Sequence, residues 1–503
     1  GPAASPRTAG PEVIGGTPAT LADAPWMVQL WYDDGTDGGA FFCAGVVVAP
    51  RKILTAAHCV AGYDWSGYGT VVTGTDQLPT VADGTVDLHG GTENYVTGTW
   101  SHPRYDDSTA DNDVAVLTLY QPTTAPRLPL TAADDTASYA PGTAATLYGW
   151  GRTSSTGIAL AQTLQKATLP VVADSACAAV YGADFAAARM VCAGPPASGG
   201  DAGTTGACYG DSGGPLVVAG RIVGVVSHGS PDCVTAGTYS VFSRVSALVG
   251  AIEPRVDDAN PTGDDKADLF AVDGSAEGWL YEGLGTSFAA RADRGPYAGA
   301  DLVRQADLNA DGDQDLLVRT TGGHLYFLTY GNPEVLVGGG WNSMASIAVP
   351  GDLNGDGWPD LVGTDTGGTS WFYPGNGLGT FGARSSIGTG WQIYAGAVYG
   401  RGDLTGDGRP DAVARDSAGT LWLYKGTGKA PAVWAARTRI GAGWEVYNAF
   451  AAVGDVSGDG HADLLARDTA GTMWLYQGTG SAAAPYAARV RIGPGWGIYR
   501  LLG

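Results

Sequence analysis

The chain has few positive charges and no long apolar run. Its 503 residues hold 28 Lys and Arg against 50 Asp and Glu, which gives a formal net charge of −22. Because nucleic-acid binding depends on basic residues that neutralise phosphates, this balance argues against nucleic acid as a partner. A helical membrane span needs about 18 consecutive apolar residues, and no such stretch occurs. The sequence therefore predicts neither a nucleic-acid partner nor a membrane span.

Cysteine is absent from the second half of the chain. All six cysteines lie between residues 43 and 233, and none forms a Cys-x-x-Cys pair. Since paired cysteines at that spacing are the usual sign of a zinc site, the cysteines do not favour metal binding. Their restriction to one half indicates that the chain contains two different kinds of domain.

Three short motifs supply the parts of a nucleophilic site. Ser212 lies in a Gly-rich run, Gly-Asp-Ser-Gly-Gly-Pro-Leu, at 210–216. A serine hydroxyl attacks a carbonyl only when a base accepts its proton and a third group orients that base. His58 follows an apolar strand-like run, and Asp113 precedes another. We expect Ser212 to be the nucleophile, His58 the general base and then acid, and Asp113 the orienting group.

In the order His, Asp, Ser and in the residues around each, the chain resembles the chymotrypsin/trypsin family of serine proteases. The similarity covers residues 13–254, about half of the chain, and includes the segments 13–16, 148–151 and 226–229. It implies an all-β fold, a chymotrypsin-like double β-barrel. It also implies a serine endopeptidase that hydrolyses peptide bonds in proteins or peptides through an acyl-enzyme and needs no cofactor for catalysis.

The resemblance assigns an oxyanion hole and an activation step. The backbone N–H groups of Gly210 and Ser212 would bind the oxyanion, and Asp211 would pair with the α-amine released at Val13. Residues 1–12 are then expected to be a tag remnant and a propeptide, so that the chain as given is a zymogen. Release requires cleavage after Glu12, either by a Glu-preferring protease acting in trans or by this enzyme itself.

Substrate preference in this family depends on a pocket beside the nucleophile. The resemblance places Gly206 at its floor and lines it with four further residues, Ser227, His228, Gly229 and Gly237. A trypsin-like enzyme has Asp at the floor, whereas an open, uncharged pocket favours a large apolar or aromatic residue before the scissile bond.

Two alternative specificities stay open at this stage. Asp201, in the long loop 195–205, would restore Arg or Lys specificity if its carboxylate reached the pocket. His228 stands where the family usually has Trp, and it either lines the groove or helps to bind an acidic side chain.

The resemblance also pairs the cysteines. It implies three disulfides, Cys43–Cys59 behind His58, Cys177–Cys192, and Cys208–Cys233 beside the specificity pocket. Six cysteines with none left over require an oxidising compartment, so we expect a secreted, extracellular protein.

An acidic repeat begins after residue 254. Its copies start at 260, 307, 352, 403 and 455, and each ends in a short apolar strand followed by an aromatic residue. Such a period predicts a propeller or a solenoid rather than an ordinary globular core. We expect a linker at 255–259 and a β-propeller, with five blades, at 260–503.

The repeats resemble the FG-GAP/VCBS family, in which the Asp-rich loop joins two strands of a blade and binds calcium. Oxygens at positions 1, 3, 5 and 9 of a tight loop can converge on one hard cation. The alternative is that Asp, Asn and Gly simply favour turns. The first copy is the weakest, because Asn260 replaces Asp. The expected structural Ca²⁺ ligands are Asn260, Thr262, Asp264, Asp268, Asp307, Asn309, Asp311, Asp315, Asp352, Asn354, Asp356, Asp360, Asp403, Thr405, Asp407, Asp411, Asp455, Ser457, Asp459 and Asp463.

Charge is divided evenly between the two parts of the chain. The first 256 residues hold 11 basic and 22 acidic residues and the remainder 17 and 28, so each part carries a formal charge of −11. Five calcium ions would offset most of the charge of the second part. Only 5 of the 28 basic residues are Lys, and Ala and Gly abound, which indicates a bacterium with a GC-rich genome, specifically an actinobacterium.

The role of the propeller is less clear from the sequence. Three Gly-Trp-x-x-Tyr elements, at 390–394, 443–447 and 495–499, either form shallow pockets for sugars or peptides or pack between blades. One hypothesis is a secreted endopeptidase that its propeller tethers to a polymeric matrix or glycan. The other is a mainly adhesive or lectin-like protein with a narrow processing protease.

Overall fold

The computed structural model describes residues 13–36, 40–257, 262, 264, 266–310 and 313–503. The predictions for residues 1–12, Asn260 and Asp311 therefore fall outside the described residues. The chain divides into two compact units, Gly1–Leu248 and Val249–Gly503.

The first unit is built from short antiparallel strands. They are β1 (Thr17–Pro18), β2 (Met27–Tyr32), β3 (Ala40–Ala49), β4 (Lys52–Thr55), β5 (Gly69–Thr73), β6 (Thr80–Ala82), β7 (Thr85–Asp87), β8 (Thr92–Ser101), β9 (Ala115–Leu119), β10 (Ala144–Gly149), β11 (Gln165–Pro170), β12 (Met190–Ala193), β13 (Pro215–Val218), β14 (Arg221–His228) and β15 (Ser240–Arg244).

Most of these strands belong to one closed barrel or to one further sheet. Six of them close a barrel in the order β2-β3-β4-β9-β8-β5, and seven form a second sheet in the order β1-β11-β10-β13-β14-β15-β12. Backbone bonds from Val172 N to Cys192 O at 2.9 Å and from Gly194 N to Pro170 O at 2.8 Å join the ends of β11 and β12. The strands are rich in Val, Ile and Leu, which favour a pleated, buried surface. The predicted chymotrypsin-like, all-β fold is confirmed.

Helices are few and short. The α-helices are α1 (Trp65–Tyr68), α2 (Asp174–Tyr181) and α3 (Val245–Val256), and the 3₁₀ turns of the first unit are Ala57–Cys59, Ala137–Tyr139 and Gly182–Asp184. Helix α3 continues through Arg255 and Val256, so the linker predicted at 255–259 begins inside a helix. None of the described helices is long and apolar enough to cross a membrane.

The second unit repeats one four-stranded antiparallel sheet. Its strands are β16 (Leu269–Asp273), β17 (Glu277–Tyr281), β18 (Ala292–Pro296), β19 (Ala300–Ala306), β20 (Asp315–Thr320), β21 (Leu325–Leu328), β22 (Val335–Gly338), β23 (Met344–Gly351), β24 (Asp360–Asp365), β25 (Ser370–Tyr373), β26 (Ser385–Gly388), β27 (Val398–Tyr399), β28 (Ala412–Arg415), β29 (Leu421–Tyr424), β30 (Thr438–Gly441), β31 (Tyr447–Gly454), β32 (Asp463–Asp468), β33 (Met473–Tyr476), β34 (Val490–Gly493) and β35 (Tyr499–Leu502).

Five such sheets make the predicted five-bladed β-propeller. Four of them use four consecutive strands, from β19-β20-β21-β22 to β31-β32-β33-β34, whereas the first has the order β18-β17-β16-β35. The last strand of the chain therefore completes the first blade, with Ala271 opposite Leu502. This pairing closes the ring and leaves no unpaired inner strand.

A side-chain bond from Asp to Trp recurs in four blades. Asp416 directly follows β28, where its Oδ1 accepts the Thr420 N–H at 3.0 Å and its Oδ2 accepts the Trp422 Nε1–H at 2.9 Å. The other three pairs are Asp273–Trp279, Asp365–Trp371 and Asp468–Trp474. In each case an Arg guanidinium covers the indole face, as Arg437 does at 3.8 Å from the Trp422 ring centre. The spacing of six residues from Asp to Trp is visible in the sequence, but the hydrogen bond between the two side chains depends on the turn that lies between them.

Candidate active site

A cavity of about 510 Å³ in the first unit brings together residues predicted to be catalytic. His58 and Ser212 both line it, with Gly206 and Ser227. Asp113 lies behind His58 and is fully buried. The sequence separates the three catalytic residues widely, and the two sets of strands bring them to one place.

The imidazole of His58 is held from one side by Asp113. The Asp113 carboxylate accepts the His58 backbone N–H at 2.8 Å and faces His58 Nδ1 at 2.7 Å. An ionised carboxylate can only accept, so Nδ1 carries the proton and Nε2 is left as a base. Burial lowers the pKa of His58, but the hydrogen bond and the charge of Asp113 outweigh burial, and the net pKa is raised.

A third donor reaches Asp113 from a strand of the second sheet. The Ser227 hydroxyl, at the end of β14, donates to Asp113 Oδ2 at 2.6 Å. The Ser243 hydroxyl donates to the Asp113 backbone carbonyl at 2.8 Å. These bonds link residues 114 and 130 positions apart. Neither bond can be predicted from the sequence, because nothing local marks which serines of β14 and β15 lie opposite Asp113.

The Ser212 loop requires glycine for steric reasons. Gly213 has φ of +82°, and a Cβ there would lie 2.1 Å from Thr55 Oγ1. Gly210 has φ of +98°, a region that side chains rarely adopt. Ala44 N donates to the Ser212 carbonyl at 2.9 Å and anchors the loop to the first barrel. The described contacts include no bond from Ser212 Oγ to His58, and such bonds often tighten only when substrate binds.

Two backbone N–H groups of this loop are available for a ligand. Within the described part of the chain, neither the Gly210 N–H nor the Ser212 N–H donates to a protein acceptor. Neighbouring amides are used, since Asp211 N bonds Cys208 O at 3.0 Å and Gly213 N bonds Val226 O at 3.0 Å. Two adjacent free donors suit a developing oxyanion.

The structure does not bring Val13 and Asp211 together. Val13 is buried among apolar residues of the second sheet, and no contact between it and Asp211 occurs in the described residues. The Asp211 carboxylate is fully buried and accepts the N–H groups of Gly151 and Cys208, each at 2.9 Å. Burial raises the pKa of Asp211 to about 7, and the two backbone bonds offset only part of that effect. Among the residues that the structure describes, no cation therefore lies beside the buried Asp211 carboxylate.

The specificity pocket is uncharged at its floor. A Cβ on Gly206 would lie 2.8 Å from Ser240 Oγ, and that hydroxyl accepts the Ala207 N–H at 3.0 Å. Gly229 lines the same cavity. Asp201 is directed elsewhere, because its carboxylate accepts the Ser155 N–H at 2.9 Å and it does not line the cavity.

One predicted wall residue, Gly237, is not among the residues that line the cavity. A Cβ on it would meet nothing within 4 Å. Its φ of +81° places it in a turn, and the following residues, Thr238 and Tyr239, form the wall instead. The assignment of Gly237 to the pocket stays a prediction, and Ser240, which the sequence did not indicate, lines the cavity beside Gly206.

His228 lines the cavity and continues the contacts of Ser227. Its Nδ1 lies 3.3 Å from Ser227 Oγ, and its ring packs edge-on against Tyr181 with 5.8 Å between ring centres. Its Nε2 is buried without a hydrogen-bond partner in the described residues. Burial lowers the pKa of His228, although the charges of Asp113 and Asp184 act in the opposite direction.

Three disulfides fix the loops around this site. The structure pairs Cys43 with Cys59, Cys177 with Cys192 and Cys208 with Cys233, and leaves no cysteine free. Cys43–Cys59 ties the 3₁₀ turn that holds His58 to β3. Cys208–Cys233 borders the specificity pocket, where both residues line the cavity.

The Asp-rich loops of the second unit hold buried carboxylates close together. Four of these loops join the first two strands of a blade, as the loop between β23 and β24 does, and the first loop precedes β16. Among the described residues, carboxylate oxygens lie within 4.8 Å of one another in two loops, Asp403, Asp407 and Asp411, and Asp455, Asp459 and Asp463. Asp352, Asp356 and Asp360 occupy the corresponding positions of a third loop. Asp307 and Asp315 are buried in a fourth, and Asp268 is buried after Asp264 in the first.

Backbone donors orient these carboxylates. Asp403 accepts the Gly406 N–H on Oδ1 at 2.8 Å, and Asp411 accepts the Leu404 N–H at 2.8 Å. Position 3 also contacts the acids, since the hydroxyls of Thr405 and Ser457 bond the first Asp of their loops and Asn354 bonds Asp356. Burial, and then repulsion from neighbouring carboxylates, raises the pKa of Asp411 well above its usual range. Such clusters of hard oxygen donors fit a divalent cation that would neutralise them.

The Gly-Trp-x-x-Tyr elements do not form surface pockets. Trp391, Trp444 and Trp496 are each 7% exposed, and the tyrosines that follow are buried further. Trp391 stacks on Tyr424 of β29 with 4.5 Å between ring centres, and the Tyr394 and Tyr424 hydroxyls bond each other. These aromatic residues are therefore part of the propeller core.

Acyl transfer through Ser212 is the chemistry that the first unit supports, and by fold and site it is a serine endopeptidase. Residues 13–252 match the family model described as Trypsin, and residues 352–414 and 403–466 match that of the FG-GAP-like repeat. The chain is 41% identical over 244 residues to a trypsin of Saccharopolyspora erythraea, which covers 48% of this chain and 98% of the relative.

Two further relatives span the same half of the chain. A brachyurin of Leptuca pugilator is 29% identical over 241 residues, covering 48% of this chain and 97% of the relative. A trypsin of Sus scrofa is 27% identical over 247 residues, covering 49% and 96%. The chain therefore belongs to the trypsin family, and its second half carries FG-GAP-like repeats. The Saccharopolyspora relative supports the actinobacterial origin that the composition indicated.

Proposed function

We propose that the chain is a secreted endopeptidase that cleaves after large apolar or aromatic residues. The observation that carries this specificity is the described lining of the cavity, where Gly206 has no side chain and which includes no Asp, Glu, Lys or Arg. A large side chain would fill an uncharged cavity of this size and gain from the apolar area it buries. The three disulfides support secretion, because they persist in oxidising compartments.

Each catalytic residue has one task in the proposed reaction. His58 Nε2 takes the Ser212 proton as Oγ attacks the carbonyl carbon, and the Gly210 and Ser212 N–H groups bind the oxyanion. His58 then gives that proton to the leaving amine, which leaves an acyl-enzyme. A water, deprotonated by His58, hydrolyses the ester and restores Ser212. Asp113 keeps the imidazole in the required tautomer and stabilises its cation.

We further propose that cleavage between Glu12 and Val13 activates the site. Support comes from Asp211, which is buried in an uncharged surrounding that raises its pKa to about 7. A new α-amine at Val13 would supply the missing cation. That pairing would order the adjacent Gly210 and Ser212 amides.

The competing specificities have less support. Some relatives are named trypsins, but Asp201, the carboxylate considered for basic specificity, bonds Ser155 outside the pocket. For acidic substrates, His228 would have to be cationic, and burial lowers its pKa.

Substrate profiling on the chain processed to begin at Val13 tests this proposal. With a peptide library randomised before the scissile bond, we expect Phe, Tyr, Leu or Met to dominate that position. The same library with Ser212→Ala controls for contaminating proteases. Dominant cleavage after Arg or Lys, or after Glu, would overturn the apolar preference. Failure of Ser212 to react with a serine-directed inhibitor would overturn the catalytic assignment.

We also propose that the Asp-rich loops bind structural Ca²⁺. The buried oxygens of loops 403–411 and 455–463 support it most directly, since they form groups of mutually repelling acids. Bound calcium would neutralise these acids and hold the loop between two strands of a blade. We propose in addition that the propeller attaches the protein to a polymeric matrix or glycan. The closed, repeated architecture supports this proposal, whereas the aromatic residues considered for that role do not, since they are buried.

A further inference from the structure

His228 extends a chain of polar contacts that begins at the catalytic base. His58 Nδ1 lies 2.7 Å from Asp113 Oδ2, Ser227 Oγ donates to the same oxygen at 2.6 Å, and His228 Nδ1 lies 3.3 Å from Ser227 Oγ. Ser227 is 6% exposed, so water does not replace its partners readily. Four side chains thus form one hydrogen-bonded series.

The number of protons that each group can donate decides the direction of each hydrogen bond. The ionised Asp113 carboxylate only accepts, so the single Ser227 hydroxyl proton is directed at Asp113. Ser227 then has no proton for His228, and the contact requires His228 Nδ1–H as the donor. The imidazole is consequently in the tautomer that leaves Nε2 without a proton. This fits the burial of Nε2, because an unpaired N–H donor is avoided there.

Packing fixes the ring in the orientation that this bond needs. Tyr181 meets the His228 ring edge-on, and the Tyr181 hydroxyl is itself anchored to the Tyr239 carbonyl. Trp, the residue that the family pattern has here, carries a carbon at the place of Nδ1 and supplies no donor there. The contact to Ser227 is therefore a property of the histidine in this chain.

We propose that His228 is a positioning residue for the catalytic site, whose Nδ1–H keeps the Ser227 hydroxyl directed at Asp113. Without that donor, the Ser227 hydroxyl is free to rotate, and Asp113 loses one of the bonds that fix its carboxylate against His58. This inference rests on the proposed roles of His58, Asp113 and Ser212. It assigns His228 an effect on catalysis in addition to its place in the cavity wall.

Two substitutions separate the hydrogen bond from the ring. His228→Asn keeps an N–H donor one bond beyond Cγ, as in Nδ1, but removes the ring. His228→Phe keeps a ring against Tyr181 but removes the donor. If His228 positions Ser227, kcat falls more in the Phe variant, by about three- to tenfold, which is the worth of one hydrogen bond. If His228 is only a wall of the groove, the Asn variant is the more impaired and the change is in KM.

A double-mutant cycle with Ser227→Ala completes the test. The readout is the rate at which a small dialkyl phosphorofluoridate labels Ser212, since that reagent makes few contacts with the substrate groove. We expect His228→Phe to slow labelling in the wild-type background and to have no further effect when Ser227 is Ala. An equal effect in both backgrounds would overturn the proposal. Absence of any labelling in the processed wild-type chain would instead contradict the catalytic assignment, so the two failures are distinguishable.

Discussion

Asp211 is the side chain whose surroundings should change most on activation. Its pKa is raised to about 7 by burial, whereas an Asp in an unfolded chain titrates near about 4. The folded state binds more protons between these values, so stability present at the lower pH is lost as pH rises through the folded pKa. A paired ammonium at Val13 would lower this pKa and remove the loss.

We therefore predict that the first unit of the uncleaved chain has a lower Tm at about pH 8 than at about pH 5. After cleavage between Glu12 and Val13 the difference should shrink. Thermal unfolding of both forms at the two pH values measures it. Asp211→Asn in the uncleaved chain is the control, because an amide does not titrate and the pH dependence should be reduced. Equal pH dependence in all three samples would exclude Asp211 as the responsible group.

Gly206 provides a second test at the level of one residue. Replacing it by Asp would place a carboxylate on the pocket floor, but the new Cβ would lie 2.8 Å from Ser240 Oγ. The double variant Gly206→Asp with Ser240→Ala removes that clash. We predict that kcat/KM for cleavage after Arg or Lys rises about tenfold or more relative to the wild-type chain, since a charge pair in an enclosed pocket contributes at least that much.

The matched control carries Asn at 206 with the same Ala at 240. Asn has nearly the same size as Asp but no charge, so it should reduce cleavage after aromatic residues without creating a basic preference. Fluorogenic peptides that differ only before the scissile bond give both rates. A gain of basic cleavage in the Asn variant would show that space, rather than charge, sets the preference.

The sequence was sufficient to predict which residues are catalytic but not how their neighbours are arranged. His58, Asp113 and Ser212 each occur in a short motif, so local residue order identified them. The roles of Ser227 and Ser240 depend on which strands of the second sheet lie side by side, and no local signal records that.

At the scale of elements, the repeat period predicted the five blades. Counting from each Asp-rich loop nevertheless places the final strand of every repeat in the next blade. For the fifth repeat the next blade is the first one, which β35 completes through the pair Ala271 and Leu502. A local pattern does not specify this closure, because the pairing joins the two ends of the unit.

The Asp-rich loops predict a metal-dependent stability. Chelation with EDTA should lower the Tm of the second unit by about 5 °C or more and leave that of the first unit unchanged, since only the second has such loops. Asp407→Asn should reduce the increase in Tm that calcium produces, because the substitution removes one charged oxygen. The Asn side-chain oxygen can still accept the Arg409 N–H, which lies 2.9 Å from Asp407 Oδ1 in the structure.

Glu334→Gln is the matched control for charge. Glu334 is an exposed acid of the same unit that lies outside the loops, so its loss should leave the calcium-dependent increment intact. Differential scanning calorimetry with added calcium and with EDTA compares the three proteins. A thermogram of the wild-type chain that EDTA does not alter would contradict calcium binding.

At the scale of the whole molecule, each part has its own closed core. The first 256 residues and the remainder each carry a formal charge of −11, so neither part has a net positive charge that would attract a polyanion. The boundary was predicted from a change in composition, but α3 runs through it to Val256. Composition marks where cysteine ends and the repeats begin, whereas the end of a helix depends on packing that composition does not record.

Attachment by the propeller predicts a difference that depends on the state of the substrate. Two proteins are compared, the full chain processed to begin at Val13 and a fragment that runs from Val13 to Val256. Both should hydrolyse a soluble peptide with kcat/KM values equal within about twofold, because both keep the cavity that holds His58 and Ser212. On insoluble protein the full chain should be faster, since attachment raises the local concentration of substrate. Full-length Ser212→Ala should still co-sediment with the insoluble protein without cleaving it. Equal rates for chain and fragment would contradict a tether, and co-sedimentation without faster cleavage would favour the adhesive alternative.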